Sequence, residues 1–246
     1  MTAARDNGRV QHMRRLAIFD IDGTLTDTNG VDNECFLRAV SEVLQVDVAT
    51  VDWSDAPHIT DSGLLRWLAG RHAQRPLHGR EAEGVRARLV QLLGVELQAA
   101  PDRFRPIAGA GQILQALTGA GWHVAVATGG WEASARLKLA AIGIEHTGLV
   151  LASSSDAETR VEIMEIALRR ASRHGGPFQR VVSIGDGLWD VRAAAALGWP
   201  FVGIAAGAHA ERLTAAGAST ILRDLSDVGA ICNALGGARA PGETRA

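Results

Sequence analysis

Two aspartates spaced two positions apart, Asp20 and Asp22, are the residues of this sequence that first suggest chemistry. They follow an apolar run at 16–19 that is typical of a buried strand, and open α/β sheets bind ligands at the carboxyl ends of their strands. Alternation along the strand sends both carboxylates to one side, where their repulsion favours a divalent cation. We interpret Asp20 as a nucleophile or metal ligand and Asp22 as a general acid or base, although an acidic turn after a strand fits these two residues equally well.

Polar residues also follow three later apolar runs, at 123–127, 149–152 and 181–184. Thr128 and Gly129 come after the first of these runs, and a hydroxyl beside backbone N–H groups at such a turn can hold the oxygens of an anion. Arg160 lies near the start of the helix predicted after the second run. Asp186 and Asp190 follow the third run. The carboxyl ends of four predicted strands therefore carry acids, a hydroxyl and a cation.

In this order the motifs resemble those of the haloacid dehalogenase superfamily, a large group of aspartate-nucleophile phosphohydrolases and their relatives. The family pattern is Asp-x-Asp-Gly-Thr, then Thr or Ser, then Lys or Arg, then Gly-Asp-x-x-x-Asp. The sequence matches it at Asp20, Asp22, Gly23 and Thr24, at Thr128, at Arg160, and at Gly185, Asp186 and Asp190. Each motif alone is weak, but four in order account for residues 14–225. The subgroup that it resembles holds phosphoglycolate phosphatases and β-phosphoglucomutases with a helical cap.

The resemblance implies a two-step phosphatase mechanism. Asp20 would attack phosphorus to form an aspartyl-phosphate, and Asp22 would protonate the leaving oxygen and then activate water. Thr128, the N–H of Gly129 and Arg160 would hold the phosphate oxygens while charge shifts in the transition state.

The resemblance also implies a magnesium (Mg²⁺) site. The ligands would be the Asp20 carboxylate, the Asp22 main-chain carbonyl and Asp186, with Asp190 in direct or supporting contact. Oxygen ligands of this kind suit a hard cation. The eight histidines are scattered without zinc-like spacing, so zinc does not compete.

Two residues are candidates for the cation that binds phosphate. Many relatives carry a lysine in the third motif, but the only lysine in this sequence, Lys138, belongs to the helix predicted after Thr128. Arg160 opens the helix after the third strand and is the better placed of the two. The alternative for Arg160 is a solvated arginine paired with Glu158 or Glu162, and Lys138 then supplies the cation.

The apolar periodicity predicts an α/β fold, a Rossmann-like doubly wound parallel sheet with an inserted all-helical cap domain. Strand-like runs alternate with helices in residues 14–27 and 107–235, which we assign to the core. Residues 28–106 show helical periodicity and are assigned to the cap. Residues 1–13 and 236–246 are expected to be flexible tails.

Thr60 and Asp61 are the candidates for substrate contact from the predicted cap. Their polar side chains can exchange hydrogen bonds with substrate hydroxyls, and Asp61 favours a cationic group. The alternative is that either residue only caps the helix that begins near Gly63. Alanine substitution of Asp61 separates the two, because capping predicts lost stability with unchanged substrate preference.

The function that fits best is hydrolysis of a small phosphorylated metabolite. The cap contains no lysine, which argues against a phosphonoacetaldehyde hydrolase, and Asp22 argues against a simple dehalogenase. A sugar phosphomutase is the first alternative, but acids such as Asp32 and Asp61 would repel the second phosphate of a bisphosphate, and the first arginine after them is Arg66. A non-catalytic binding module is the second alternative.

The composition of the sequence limits the size of its core and the kinds of partner it can have. The sequence has 246 residues, 47% of them apolar, a net charge of −2 and a pI near 6.4. These values allow a core with a small second domain and leave no basic footprint for nucleic acid. The first twelve residues lack the apolar core of a signal peptide, and no segment is long enough to span a membrane, so we expect a cytoplasmic protein. Cys35 and Cys232 are expected to be unpaired.

Overall fold

The computed structural model describes residues 13–48 and 51–243. The strands are, in chain order, β1 (Arg15–Phe19), β2 (Thr26–Asp27), β3 (Arg105–Pro106), β4 (Trp122–Ala127), β5 (Val150–Ala152), β6 (Arg180–Gly185), β7 (Phe201–Ile204) and β8 (Ile221–Leu222). Six of them form a parallel sheet in the order β5-β4-β1-β6-β7-β8. The first strand of the chain is therefore central, with Phe19 opposite Val126 on one side and Ile184 on the other.

The helices are α1 (Asn29–Leu44), α2 (Asp61–Leu68), α3 (Gly79–Ala99), α4 (Ala110–Gly119), α5 (Glu132–Ala141), α6 (Arg160–Gly175), α7 (Leu188–Leu197), α8 (Gly207–Ala215) and α9 (Val228–Gly237). No helix within the described ranges is long and apolar enough to cross a membrane.

The parallel sheet has an apolar layer on each face, as a doubly wound fold requires. On one face Ala17 and Phe19 pack with Ile113 of α4 and Leu235 of α9. On the other face Leu16 and Ile18 join a second cluster that includes buried residues of α6, namely Ile163, Met164, Ala167 and Ala171. Because successive side chains of β1 point to opposite faces, this strand contributes residues to both apolar layers. The predicted α/β fold with a Rossmann-like sheet is confirmed.

Helices α1, α2 and α3 lie between β2 and β3 in the chain and share a hydrophobic cluster, which also includes Trp131, Leu137 and Ala141. We call residues 29–99 the helical segment. Its buried residues recur at helical spacing, and the predicted face of α3, Val85, Leu89, Leu92 and Leu93, is buried throughout. At its base the short antiparallel pair of β2 with β3 sets Asp27 opposite Arg105. The chain therefore leaves and rejoins the sheet region at one place.

The structure describes little of the expected N-terminal tail but most of the expected C-terminal tail. Residues 1–12 and 244–246 lie outside the described ranges. As far as Ala240, however, the C-terminal segment has side chains that pack against the core. Ala238 and Ala240 are buried, and their neighbourhood accepts hydrogen bonds from Arg180 Nη2 and from the backbone N–H of Phe201. The Ala- and Gly-rich composition suggested a loose end, whereas small side chains here allow close contact with the core.

Candidate active site

The carboxyl ends of the central strands bring the predicted residues together. Asp20 follows β1, Thr128 follows β4 and Asp186 follows β6, while Arg160 begins the helix after β5. Because β1 lies between β4 and β6, these ends meet at one edge of the sheet. All four residues line a cavity of about 510 Å³, whose other wall comes from the helical segment.

Arg160 is buried and bridges two carboxylates. Its Nη2 lies 2.7 Å from Asp20 Oδ1, and its Nε donates to Asp190 Oδ1 at 2.8 Å. We call Arg160, Asp20 and Asp190 the arginine cluster. Burial disfavours the charged guanidinium, but the two carboxylates outweigh it and raise the pKa of Arg160. The alternative pairing with Glu158 is not seen, because Glu158 binds Arg66 at 2.8 Å.

Three carboxylates crowd together beside the cavity, and two of them, Asp20 and Asp186, line its floor. Oxygen atoms of Asp20, Asp186 and Asp190 lie within 4.8 Å of one another. Burial, together with the nearby acids, raises the pKa of Asp20 to about 7 and that of Asp186 to about 8. Gly23, at φ +80°, makes room for the third acid, since a Cβ there would lie 2.0 Å from Asp186 Oδ2. A buried, all-oxygen donor set with excess negative charge fits a hard divalent cation.

The Asp22 carboxylate is held separately from these three acids. Its Oδ1 accepts from the Thr28 hydroxyl at 2.6 Å, and its Oδ2 accepts from Lys138 Nζ at 2.6 Å. Lys138 also lies 2.7 Å from Asp32 Oδ1. We call Lys138, Asp22 and Asp32 the lysine cluster. The second candidate for the phosphate-binding cation is thus enclosed between two acids and fully buried, although Asp22 itself lines the cavity.

The turn after β4 has the form expected of an anion site. Its first residue, Thr128, donates its backbone N–H to Ala152 O and accepts from the N–H of Gly130 at 3.1 Å. Gly129 has no space for a side chain, because a Cβ there would lie 3.0 Å from Arg160 Nη1 and 3.0 Å from Ile59 O. The turn therefore lies close both to Arg160 and to the helical segment.

Thr60 and Asp61 connect the helical segment to that turn. Thr60 is the N-cap of α2 and accepts from the N–H of Gly63 at 3.2 Å. Asp61 donates its backbone N–H to Gly129 O at 2.8 Å, and its carboxylate accepts from the N–H of Trp131 at 2.8 Å. Burial, with Asp32 as the nearest like charge, raises the pKa of Asp61. Both residues line the cavity, and both already bond within the protein.

Three residues of the site went unrecognised in the sequence. Asp32 completes the lysine cluster, Asn29 Nδ2 lies 3.4 Å from Asp186 Oδ2, and His209 Nε2 lies 2.7 Å from Asp186 O. His209 lies in the first turns of α8, the helix that follows the next strand end, so the rule that strand ends carry site residues could have found it. Trp189 of the fourth motif also lines the cavity.

The fold and the acid set define a class, an α/β protein with a carboxylate-based site at the strand ends. The model of the haloacid dehalogenase-like hydrolase family matches residues 15–198. Over 231 residues the chain is 30% identical to a protein of Dickeya dadantii named Probable phosphatase IndB, a match that covers 91% of this chain and 95% of that protein. This protein therefore belongs to the haloacid dehalogenase-like hydrolases, as the motifs predicted.

Two further comparisons give one relative named as a phosphatase and one solved structure of similar fold. The Phosphoglycolate phosphatase of Agrobacterium fabrum is 28% identical over 194 residues, which is 78% of this chain and 81% of that protein. The solved structure of a putative β-phosphoglucomutase from Bacteroides vulgatus has a TM-score of 0.65 at 16% identity and covers 94% of this chain and 91% of its own. At that identity the structural likeness concerns the fold.

Proposed function

We propose that this hydrolase is a Mg²⁺-dependent phosphatase that acts on a small phosphorylated metabolite through an aspartyl-phosphate on Asp20. The observation that carries the proposal is the arginine cluster: the buried Asp20 carboxylate lies 2.7 Å from a guanidinium at the cavity, and two more carboxylates lie close to it. Relatives named as phosphatases support the same reaction.

In the proposed reaction an Asp20 oxygen forms a bond to phosphorus while the bond to the leaving oxygen breaks. Asp22 gives its proton to that oxygen, so the alcohol departs neutral. Water then attacks the aspartyl-phosphate, Asp22 takes the proton, and inorganic phosphate and free Asp20 result. Thr128, the N–H of Gly129 and Arg160 hold the phosphoryl oxygens, and the proximity of Gly129 to Arg160 supports this grouping.

Mg²⁺ would be held by the carboxylates of Asp20, Asp186 and Asp190 with the main-chain carbonyl of Asp22. When bound, it offsets the negative charge of phosphate and carboxylates so that the two can approach. The raised pKa values of Asp20 and Asp186 support the assignment, because they reflect acids crowded beyond what Arg160 alone compensates.

We further propose that residues 28–106 act as a cap over a core made of residues 14–27 and 107–235. The hydrophobic cluster that the helices of this segment share supports this division, although Trp131, Leu137 and Ala141 join it from the core, and so does the wall that the segment contributes to the cavity. A cap would then decide which molecule carries the phosphate, while the core residues process it.

A sugar phosphomutase of the same family is the alternative, and the charges of the cavity argue against it. A mutase must bind a second phosphate. Among the described residues that line the cavity, the permanent cation is Arg160, which already pairs with Asp20, and the His209 imidazole bonds the main-chain oxygen of Asp186. Hydrolysis therefore fits better than transfer to a second site.

The test is hydrolysis of p-nitrophenyl phosphate with Mg²⁺ or with a chelator, comparing the wild type with Asp20→Asn. We expect release of phosphate that needs Mg²⁺ and falls at least about 10³-fold in the variant. Equal and negligible rates for both proteins would instead identify a non-catalytic binding module. Isomerisation of a glucose monophosphate without release of phosphate would identify a mutase.

A further inference from the structure

We propose that the preferred substrate carries its phosphate on an uncharged alcohol with an apolar or aromatic body, and that esters with a carboxylate on that body are poor substrates. The inference rests on the proposed phosphatase activity and adds the class of its leaving group. It is carried by the wall that the helical segment contributes to the cavity.

That wall is largely apolar and partly aromatic. Four of its side chains offer hydrocarbon surface, namely Phe36, Trp53, Ile59 and Leu64. The first two are held in place by aromatic neighbours: the ring of Phe36 lies 5.9 Å from that of Trp131, and the ring of Trp53 lies 6.2 Å from that of Trp67. Pre-positioned aromatic walls favour flat or apolar ligand groups, because little side-chain freedom is lost on binding.

The charges of the same wall are negative or offset. Asp32 and Asp61 line it, and Lys138 balances the first of them. Within the described lining the permanent cation is Arg160, which contacts acids on the core side, whereas the His209 imidazole lies 2.7 Å from the main-chain oxygen of Asp186. A substrate carboxylate lying against this wall would lose its water without meeting a cation, which is costly in a partly enclosed cavity. The exposed amide of Asn33 can serve a hydroxyl instead.

Two esters of similar shape test the inference, benzyl phosphate and 4-carboxybenzyl phosphate, which differ by one carboxylate far from the scissile bond. We expect kcat/KM to be at least about tenfold higher for benzyl phosphate. Asn33→Arg, which adds a cation to the wall, should shrink that ratio, whereas the neutral control Asn33→Gln should leave it unchanged.

The possible failures are distinguishable. An equal or higher kcat/KM for the carboxylated ester overturns the leaving-group class and leaves the phosphatase intact. Absence of turnover of both esters and of p-nitrophenyl phosphate overturns the phosphatase, and the inference with it.

A different observation, the lysine cluster, carries a second inference independently. We infer that Lys138 is a positioning residue that fixes the Asp22 carboxylate where it can reach the leaving oxygen. Each Asp22 oxygen has one strong donor, Thr28 on Oδ1 and Lys138 on Oδ2, both at 2.6 Å. Two donors on opposite oxygens restrict rotation of the carboxylate, as a general acid requires.

The same ammonium group also links the core to the helical segment. Lys138 belongs to α5, which follows the Thr128 turn, whereas Asp32 lies in the first turn of α1. One buried cation thereby fixes Asp22 relative to both walls of the cavity. Lys138 is fully buried and does not line the cavity, so direct contact with phosphate does not account for its position.

The dependence on the leaving group tests this role. p-Nitrophenolate leaves readily without a proton, whereas the alkoxide of benzyl phosphate needs one from Asp22. For Lys138→Met we therefore expect kcat/KM to fall about 100-fold with benzyl phosphate and only a few-fold with p-nitrophenyl phosphate. Lys138→Arg should recover part of the loss. Arg136→Met, a change on the same helix at a residue paired with Glu132, is the matched control and should alter neither substrate.

Equal losses with both substrates would overturn the positioning role, since a merely structural defect lowers both together. If Lys138→Met does not fold, Thr28→Val removes the other donor to Asp22 and must give the same selective loss. An unselective loss in Thr28→Val overturns the inference as well.

Discussion

The arginine cluster and the lysine cluster have the same composition, one buried cation between two aspartates, but they differ in surroundings. Arg160 and Asp20 of the arginine cluster line the cavity, and a third acid, Asp186, lies within reach of its carboxylates. In the lysine cluster both acids line the cavity while the cation is sealed behind them. An excess of negative charge that faces a cavity suits a bound cation, whereas an ammonium group enclosed between two carboxylates holds those side chains still.

The two clusters should therefore respond differently when the cation is removed. Loss of Arg160 affects every step in which phosphate is held, whatever the leaving group. Loss of Lys138 affects the alignment of one acid and the contact between core and helical segment. The following predictions test this contrast.

The largest effect is expected for Arg160→Met. It removes the guanidinium that lies 2.7 Å from Asp20, in a buried site where such a charge stabilises the transition state strongly. We expect kcat/KM to fall about 10²- to 10³-fold or more, equally for p-nitrophenyl and benzyl phosphate. Arg170→Met on the same helix is the control, because Arg170 binds Asp156 at the margin of the site. If the loss of kcat/KM in Arg160→Met depended on the leaving group, the proposed difference between the clusters would be wrong.

Lys138→Met is expected to cost the most stability. It leaves two buried carboxylates without their shared cation, and breaking such a group costs about 3–5 kcal/mol of unfolding free energy. Adding Asp32→Asn to Lys138→Met should restore part of that loss, because one of the two repelling acids is gone. Urea denaturation of the two single variants and the double variant measures the coupling. Additive losses would mean that the ion pair contributes nothing.

The acids at the floor of the cavity should make stability depend on pH in a direction set by their raised pKa values. An unfolded aspartate loses its proton near 3.8, whereas folded Asp20 and Asp186 retain theirs to about 7 and about 8. Between these limits the folded chain binds more protons, so the stability of the metal-free protein falls as pH rises. Asp186→Asn should flatten this fall in Tm. Mg²⁺ should raise the Tm of the wild type most near pH 8 and that of Asp186→Asn less.

Much of the site could be predicted from the sequence. Each candidate catalytic or metal-binding residue of the core follows an apolar run, and parallel strands align their carboxyl ends. That reasoning brought Asp20, Thr128, Arg160 and Asp186 to one edge, where the structure has them. The fold, the family and the hydrolase class follow from the same pattern and are confirmed. The roles of these residues remain proposals.

The lysine cluster could not be predicted in the same way. Whether Lys138 reaches phosphate or an acid depends on the rotation of α5 against the sheet and on the position of α1. The spacing of residues in the sequence determines neither of these. The contact between Asp61 and the N–H of Trp131 joins residues 70 positions apart. What the sequence did offer was a hint, a single lysine that shares its helix with the buried residues Ala135 and Leu139.

The smallest effects are expected where the helical segment meets the turn after β4. Thr60→Ala removes the N-cap acceptor of α2 and should cost about 1 kcal/mol of stability. Asp61→Ala leaves the buried N–H of Trp131 unpaired and should cost about 1–3 kcal/mol, whereas Asp61→Asn retains an acceptor oxygen and should cost less. If these contacts are only structural, the kcat/KM ratio of benzyl to 4-carboxybenzyl phosphate stays constant in all three variants. A ratio that changes in Asp61→Asn while stability does not would make Asp61 a contact of the leaving group, and the wall of the cavity would then use its acids to select substrates.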